Sequence, residues 1–402
     1  MNRHLGISDY FVIMDFELSE ELESLRQMVR QLAQTKIAPR AREIDKTGDY
    51  PEDIFQELRK ADLLGLCIPE EYGGSGAGIL GLTLAIEEVS KYSNVIGLML
   101  LLTRLPTGPI MISGTDAQKQ KYLPGIANGT QRAAFCLSEP GNGSDVAGMQ
   151  SRATPDPDVP GGYILNGTKS WISGGIQADW FTVFAKVGDP SSRQHSNITG
   201  FIVDGDSPGL SRPRVDHKMG VRGIDTADIV FDNVKVDPEN VIGGSFSLAM
   251  QSLNAMRPVV AARGIGLAEG ALMYAVEYAK NRPAFNQTIA DFQGIQWEIA
   301  KCATEIEAGR LLTYRAAVMA DNGQYGKEFV PLLSMCKYYA AEMAVRVSSV
   351  TLQMLGAAGY MEDHPMEQYY RDARQLPIVE GTSQIQLGLI AKGVLGHDLW
   401  WD

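Results

Sequence analysis

The chain has 402 residues, 45% of them hydrophobic and 21% charged, with a formal net charge of −12. That length supports two or three domains around a shared core, and the hydrophobic content excludes an intrinsically disordered chain. The acidic balance argues against a nucleic-acid or anionic-membrane surface, so no nucleic-acid partner is expected and any phosphate must be met by local basic groups.

Cys67, Cys136, Cys302 and Cys336 lie far apart without metal-ligand spacing, which points away from a disulfide framework or a metal site and fits a reducing, cytoplasmic location. Residues 1–17 contain no long apolar segment. The apolar run from Val95 to Leu102 is interrupted by Thr103, Arg104 and Pro106 and is too short to span a bilayer.

From residue 16 to about 130 the sequence reads as helices joined by Gly/Pro turns. Ser19 before Glu20, Glu21 and Glu23 predicts a helix start, with Leu22, Leu25, Val29 and Leu32 as its apolar stripe. Pro51 predicts a second start, with an end near Leu64 and Gly65. The glycine-rich stretch Pro69 to Gly76 has no Lys and lacks the spacing of a phosphate loop, so it reads as an inter-helix loop. From about 131 to 243 short β-prone runs take over: Tyr163 to Leu165, Trp180 to Ala185, Phe201 to Val203 and Ile229 to Phe231. Turn clusters separate them, as in a small barrel or sandwich. Asn166 to Lys169 reads as a hairpin turn leading into Trp171, Ile172 and Ser173. Helical periodicity returns over Ala249 to Arg282, Gln293 to Asp321 and Pro331 to Gly356. The segregation of strands from helices argues against a doubly wound parallel sheet, and no G-x-G-x-x-G opens a strand-to-helix turn.

The last helix holds the candidate chemistry. Leu376 to Val379 leads in as an apolar strand or loop, Gly381 permits an unusual φ, and Ser383 with Gln386 forms an S-x-x-Q capping box. Ile385, Leu389, Ile390 and Val394 form the stripe and Gly396 the stop. Glu380 therefore sits on a turn before a helix, where burial would raise its pKa towards working pH and make it a candidate general base. The helix N-terminus pulls the other way.

Arg371 to Ala373 followed by Glu380 to Gln386 resembles the C-terminal signature of the acyl-CoA dehydrogenases, FAD enzymes in which this glutamate abstracts the α-proton of an acyl thioester. The resemblance extends to Cys136 to Asp145, to Pro69 to Gly76, to Arg282 to Phe285 with Gln293, and to Gln353 to Tyr360. It implies an α+β, mostly α fold: an N-terminal helical domain (1–130), a central β-barrel domain (131–243) and a C-terminal four-helix-bundle domain (244–402). It also implies that Glu380 is the base, that Cβ delivers hydride to flavin N5 and that the product is the trans-2-enoyl-CoA. Polarisation of the thioester carbonyl by the Glu380 backbone N–H and a flavin hydroxyl is implied as well.

By position, the resemblance puts Phe135, Leu137, Ser138, Trp171 and Ser173 on the flavin ring. Arg282, Phe285, Gln293, Gln353, Gly356, Thr382 and Gln384 fall on the rest of FAD, partly from a neighbouring subunit. Ser144, Asn254, Arg257 and Gly381 fall on the acyl-CoA. Electrons would pass to an electron-transferring flavoprotein, and a homotetramer is implied. None of the residues Asn254 to Arg263 is acidic, so Glu380 alone stands in a family base position. Asn286, Ala357, Gln368 and Val379 depart from the family pattern, and Val379, where Tyr is usual, implies a roomier pocket. An acyl-CoA oxidase or flavin monooxygenase is the alternative enzyme on this fold, and a non-enzymatic acyl-CoA binder the third reading.

Overall fold

The first helix begins where its acids predict. In the computed structural model, which describes residues 17–188, 197–244 and 246–397, Ser19 accepts a hydrogen bond from the Leu22 amide and opens α1 (Glu20–Leu32). Its oxygen satisfies one of the amides a helix start leaves unbonded. The reading of residues 1–17 lies, Glu17 apart, outside the described residues. After α2 (Ala41–Thr47) comes α3 (Glu52–Lys60), which is shorter than the expected run to Leu64. The chain leaves the helix at Asp62, whose φ is +56°, and buries Leu63 and Leu64 from the following turns instead.

The N-terminal domain is completed by α4 (Gly78–Ser90), α5 (Asn94–Arg104), α6 (Gly108–Ser113) and α7 (Asp116–Ala127). The loop from Pro69 to Gly76 folds onto its own backbone, the amides of Gly74, Ser75 and Gly76 donating to the carbonyls of Pro69, Gly65 and Ile68. Ala77, before α4, has no side-chain oxygen to offer the helix start. Asp321 from the far end of the chain supplies it, accepting from the amides of Ile79 at 2.5 Å and Leu80 at 2.9 Å.

The middle domain contains β1 (Ala133–Cys136), β2 (Arg152–Pro155), β3 (Tyr163–Ser173), β4 (Trp180–Val187), β5 (Ile198–Asp204), β6 (Leu210–Val215), β7 (Thr226–Val236) and β8 (Val241–Gly243). Every expected strand lies inside one of these. The expected barrel is an eight-stranded mixed sheet whose hydrogen-bonded path runs β6-β7-β3-β2-β4-β5-β8. β1 and β2 lie end to end along one edge of β4, both parallel to it, while β5 pairs antiparallel along the other edge. The hairpin expected at Asn166 to Lys169 is absent, because these residues continue β3. The strand is bulged there, with register shifts between Leu165 and Gly167 and between Lys169 and Ile172. Such bulges bend a strand and re-aim its side chains. Trp171, at φ +58°, is 54% exposed rather than packed in the core.

The C-terminal domain packs α8 (Phe246–Asn281), α9 (Gln293–Asp321), α10 (Val330–Leu355) and α13 (Ser383–Leu395) together, with α11 (Ala357–Tyr360) and α12 (Met366–Ala373) between the last two. Two-residue strands β9 (Pro283–Ala284) and β10 (Gln287–Thr288) pair between α8 and α9. α8 joins the N-terminal helices to the bundle, touching α4 and α5 as well as α9 and α10. Stretches 94–113 and 246–281 are long and apolar enough to cross a membrane, yet their most apolar windows are 78% buried inside the protein, the pattern of core helices. Glycines allow the close approach. A Cβ on Gly266 or Gly270 would collide with the carbonyl oxygens of Glu87 and Lys91 on either side of the α4 end, and one on Gly264 would press on that of Ala340.

This close approach reverses an ordinary sign. In an exposed helix interior Gly→Ala stabilises by about 1 kcal/mol, but Gly270→Ala should destabilise by about 1–3 kcal/mol, because the new methyl meets fixed backbone rather than a movable side chain. The urea unfolding midpoint measures it, and a midpoint that stays or rises contradicts this account of the α4–α8 contact.

Candidate active site

Leu376, fully buried, anchors the turn that carries Glu380. The segment leading in is a loop rather than a strand, with the amides of Ile378 and Val379 both donating to the Gln375 carbonyl at 2.9 and 3.1 Å. Glu380 itself has φ +51° and Gly381 φ +89°. The second is natural for glycine, while the first places a residue with a Cβ in the left-handed region, at a cost of order 1–3 kcal/mol.

The helix start differs by one residue from the expected capping box. Thr382 is the cap, its hydroxyl accepting from the Ile385 amide at 3.2 Å. Thr is a somewhat weaker cap than Ser, so the backbone rather than cap preference decides, and the positive-φ pair before Thr382 sets the boundary there. Ser383 is thereby free to donate to the Glu342 carboxylate of α10 at 2.5 Å, and the Gln386 side chain donates to the carbonyls of Glu380 at 3.4 Å and Gly381 at 3.2 Å. Gly396 ends the helix at φ +68°, as its position predicts.

The Glu380 carboxylate lines a cavity of about 990 Å³ where the three domains meet. Leu98, Leu101, Leu102 and Leu105 of α5 form an apolar wall, the middle domain contributes Phe135, Leu137, Ser138, Ser144, Trp171 and Ser173, and the bundle contributes Arg257, Glu380, Gly381 and Thr382. One oxygen of Glu380, Oε2, is buried without a hydrogen-bond partner. Burial pushes this carboxyl up to about 7 against the opposing pull of the Arg263 and Lys337 cations. A carboxylate so raised, facing an apolar cavity, can take a proton from a carbon acid held there.

The walls are fixed by buried charges. Lys169 donates to the Leu137 carbonyl at 3.0 Å and to Glu139 at 2.9 Å, while Glu139 also accepts from the amides of Gln150 and Ser151. This holds the Leu137 to Ser144 loop at the cavity. Arg263 lines the cavity and donates to Asn94 and Gln375, each at 2.8 Å. Arg257 lines it too, but its guanidinium turns into the bundle, onto Ser334 at 2.8 Å and the Val330 carbonyl at 3.2 Å.

Other residues singled out in the sequence lie elsewhere. Asn254 is buried and donates to the Tyr325 carbonyl at 3.1 Å, outside the cavity wall. Arg282, Phe285, Gln293, Gln353, Gly356 and Gln384 are exposed and away from the cavity. The sequence reading missed Arg263, Lys337 and Lys169. The first two break apolar helical stripes, between Val259 or Val260 and Leu267, and between Leu333 and Ala341. That interruption was the available signal.

Family comparison follows the same three-part division. Residues 19–130 match the acyl-CoA dehydrogenase N-terminal domain, 134–234 the middle domain and 243–395 the C-terminal domain. The chain is 38% identical over 384 residues to an acyl-CoA dehydrogenase of Bacillus subtilis (strain 168), spanning 94% of this chain and 99% of that one. It is 39% identical over 381 residues to a 3-(aryl)acrylate reductase of Clostridium sporogenes (strain ATCC 15579), again spanning 94% and 99%. Its fold matches butyryl-CoA dehydrogenase from Megasphaera elsdenii with a TM-score of 0.90 at 36% identity, covering 95% of this chain and 100% of that one. With all three domains matched in order along nearly its whole length, the chain belongs to the acyl-CoA dehydrogenase family of oxidoreductases.

Proposed function

We propose that this protein catalyses α,β-dehydrogenation of an acyl-CoA thioester to the trans-2-enoyl-CoA, with Glu380 as the base that removes the α-proton. The observation that carries the reading is the Glu380 carboxyl, raised to about 7 at the wall of a largely apolar cavity, with one oxygen unpartnered. At neutral pH a large fraction is ionised, and the ionised form is basic enough to compete for a carbon-bound proton. The backbone N–H of Glu380 is the donor we assign to the thioester carbonyl, where negative charge develops as the proton leaves.

FAD suits the wall opposite this carboxylate: about 990 Å³ is large for one small-molecule pocket, and the middle domain offers an exposed indole beside hydroxyls. When bound, it supplies the acceptor for the β-hydrogen, which leaves as hydride. Phe135, Leu137, Ser138, Trp171, Ser173 and Thr382 would hold it and keep water out. Arg282, Phe285, Gln293, Gln353, Gly356 and Gln384 are read as serving the cofactor of a neighbouring copy in a homotetramer. Support comes from large apolar side chains exposed on this part of the bundle: Phe285, Trp297 and Tyr360 are 91%, 60% and 75% exposed. An electron-transferring flavoprotein as the electron acceptor, and a cytoplasmic location, belong to the same reading.

Glu380→Gln should retain FAD and bind acyl-CoA yet lose flavin reduction by about 10²–10⁴-fold, because the amide keeps the shape and cannot accept a proton. Stopped-flow bleaching of the flavin by an acyl-CoA measures it, and reoxidation in air of the reduced wild type separates a dehydrogenase from an oxidase. In the wild type, kcat/KM should rise about tenfold per pH unit below 7 and level off above it, since the active form is the deprotonated one and its titration is centred at about 7. A profile flat from pH 5 to 8 would remove Glu380 from the base role.

Val379 lines the cavity immediately before the base, among aliphatic neighbours. Its small side chain leaves room for branched, cyclic or aromatic acyl groups, and Val379→Tyr should lower kcat/KM for such a thioester at least about tenfold while sparing a short straight chain. Equal losses on both would mean that the ring disturbs Glu380 instead.

A further inference from the structure

Two side chains of α10 tie the Glu380 turn to the bundle, and one is a fully buried lysine. Lys337 occupies a position in the α10 stripe whose neighbours Leu333, Ala340, Ala341 and Ala344 are all buried. Its ammonium donates to the carbonyls of Leu376 at 2.8 Å and Gly381 at 2.7 Å. Those carbonyls bracket Pro377 to Glu380. Methionine would fill this volume without desolvating a charge, so the charge must be accounted for by what it holds.

Glu380 needs such a hold, because a φ of +51° persists in a residue with a Cβ only where the surroundings over-determine it. The bonds from Val379 to Gln375 and from Ser383 to Pro377 lie within the turn, and the Gln386 side chain reaches back from the helix that the turn starts. Glu342 reaches Ser383, beyond the base. Among the described residues, Lys337 is the side chain from another helix whose bonds span Glu380 itself.

We propose that Lys337 is the positioning residue of the base: by clamping the Leu376 and Gly381 carbonyls to α10, its ammonium holds the strained Glu380 with its carboxylate in the cavity and one oxygen ready for a proton. This rests on the reading of Glu380 as the base. The ammonium also acts through space, because Arg263 and Lys337 are the two cations that oppose the burial of Glu380. Lys337 in turn faces Glu380, Glu342, Arg257 and Cys336, and Arg263 faces Glu380 and Asp372. Burial brings the Lys337 ammonium down to about 8, which leaves it mostly protonated at neutral pH.

The test titrates Glu380 directly in the FAD-loaded protein by the side-chain carboxyl ¹³C signal of labelled glutamate, assigned against Glu380→Gln, alongside flavin reduction by an acyl-CoA. In Lys337→Met the Glu380 midpoint should move up by about one unit or more and flavin reduction at pH 7 should slow at least about 10²-fold, with FAD content and acyl-CoA affinity within about threefold of wild type. Lys337→Arg, which keeps the charge, should hold the midpoint within about half a unit and recover at least about tenfold of the lost rate. A folded Lys337→Met protein whose Glu380 midpoint and rate stay at wild-type values overturns the proposal. Should Met not fold, Lys337→Gln replaces it with the same expected shift, and an unmoved midpoint there overturns the proposal equally. Failure of every acyl-CoA to bleach wild-type flavin would instead defeat the functional reading, while the midpoint shift would still decide whether Lys337 governs Glu380.

Discussion

The cost of placing one carboxylate in an apolar cavity governs this structure. Moving the Glu380 carboxyl from an ordinary value near 4.5 to about 7 corresponds to roughly 3 kcal/mol of disfavoured ionisation. With nothing opposing burial, the group would stay neutral and useless as a base. With a full ion pair it would be ionised and too weakly basic. Arg263 and Lys337 supply an intermediate answer, two cations close enough to oppose burial while neither forms a salt bridge with it. Those cations are themselves buried, and each is satisfied by neutral oxygens: Asn94 and Gln375 for one, the Leu376 and Gly381 carbonyls for the other.

A balance of that kind depends on distances, and the fold keeps them by locking three domains at their contacts. Gly266 and Gly270 seat α8 on α4 by backbone approach, where no rotamer can adjust. Asp321 of α9 caps α4, Asp45 of α2 pairs with Arg371 of α12, and Asp372 accepts the amide of Val221 from the middle domain at 2.5 Å. Arg371 and Asp372 lie shortly before Glu380 in the chain. The segment entering this turn is therefore tied to the other two domains before it reaches Glu380, and the cavity walls and the carboxylate share one frame.

Much of this was legible in the sequence, wherever a local rule had no competitor. The period of 3.6 found the long helices of the bundle within a few residues, and β-prone runs between turn clusters found the middles of β3, β4, β5 and β7, while the short or exposed β1, β2, β6 and β8 carried too little pattern to be read. The turn before the last helix was readable from Gly381 and the hydroxyls behind it. Misreadings arose where two local rules gave different answers. Asn166-Gly167 satisfies hairpin chemistry, but Gly167 is there because a Cβ would strike Ser151, and the strand runs through. Leu63 and Leu64 continue the apolar pattern of α3 from a turn. The buried cations were visible as interruptions in apolar stripes, but their partners lie 39 and 44 residues away for Lys337 and 112 and 169 for Arg263, and no local pattern encodes such pairings.

The position of Glu380 beside a helix start poses a last question, because amides there usually lower a carboxylate's pKa. The chain contains its own comparison. Asp291, the third residue of the short helical turn Ile289–Asp291, reaches back to accept from both the amide and the hydroxyl of the capping Thr288, and these bonds hold it below the usual carboxylate range. At α13 Glu380 stands two residues before the cap instead: the Thr382 hydroxyl takes the Ile385 amide, and Gln386 donates to the backbone carbonyls of the turn rather than to the carboxylate. A carboxylate that accepted such bonds would be stabilised in its charged form and be a weaker base. With Glu380 Oε2 left without a hydrogen bond, burial is left to set its proton affinity against the Arg263 and Lys337 cations.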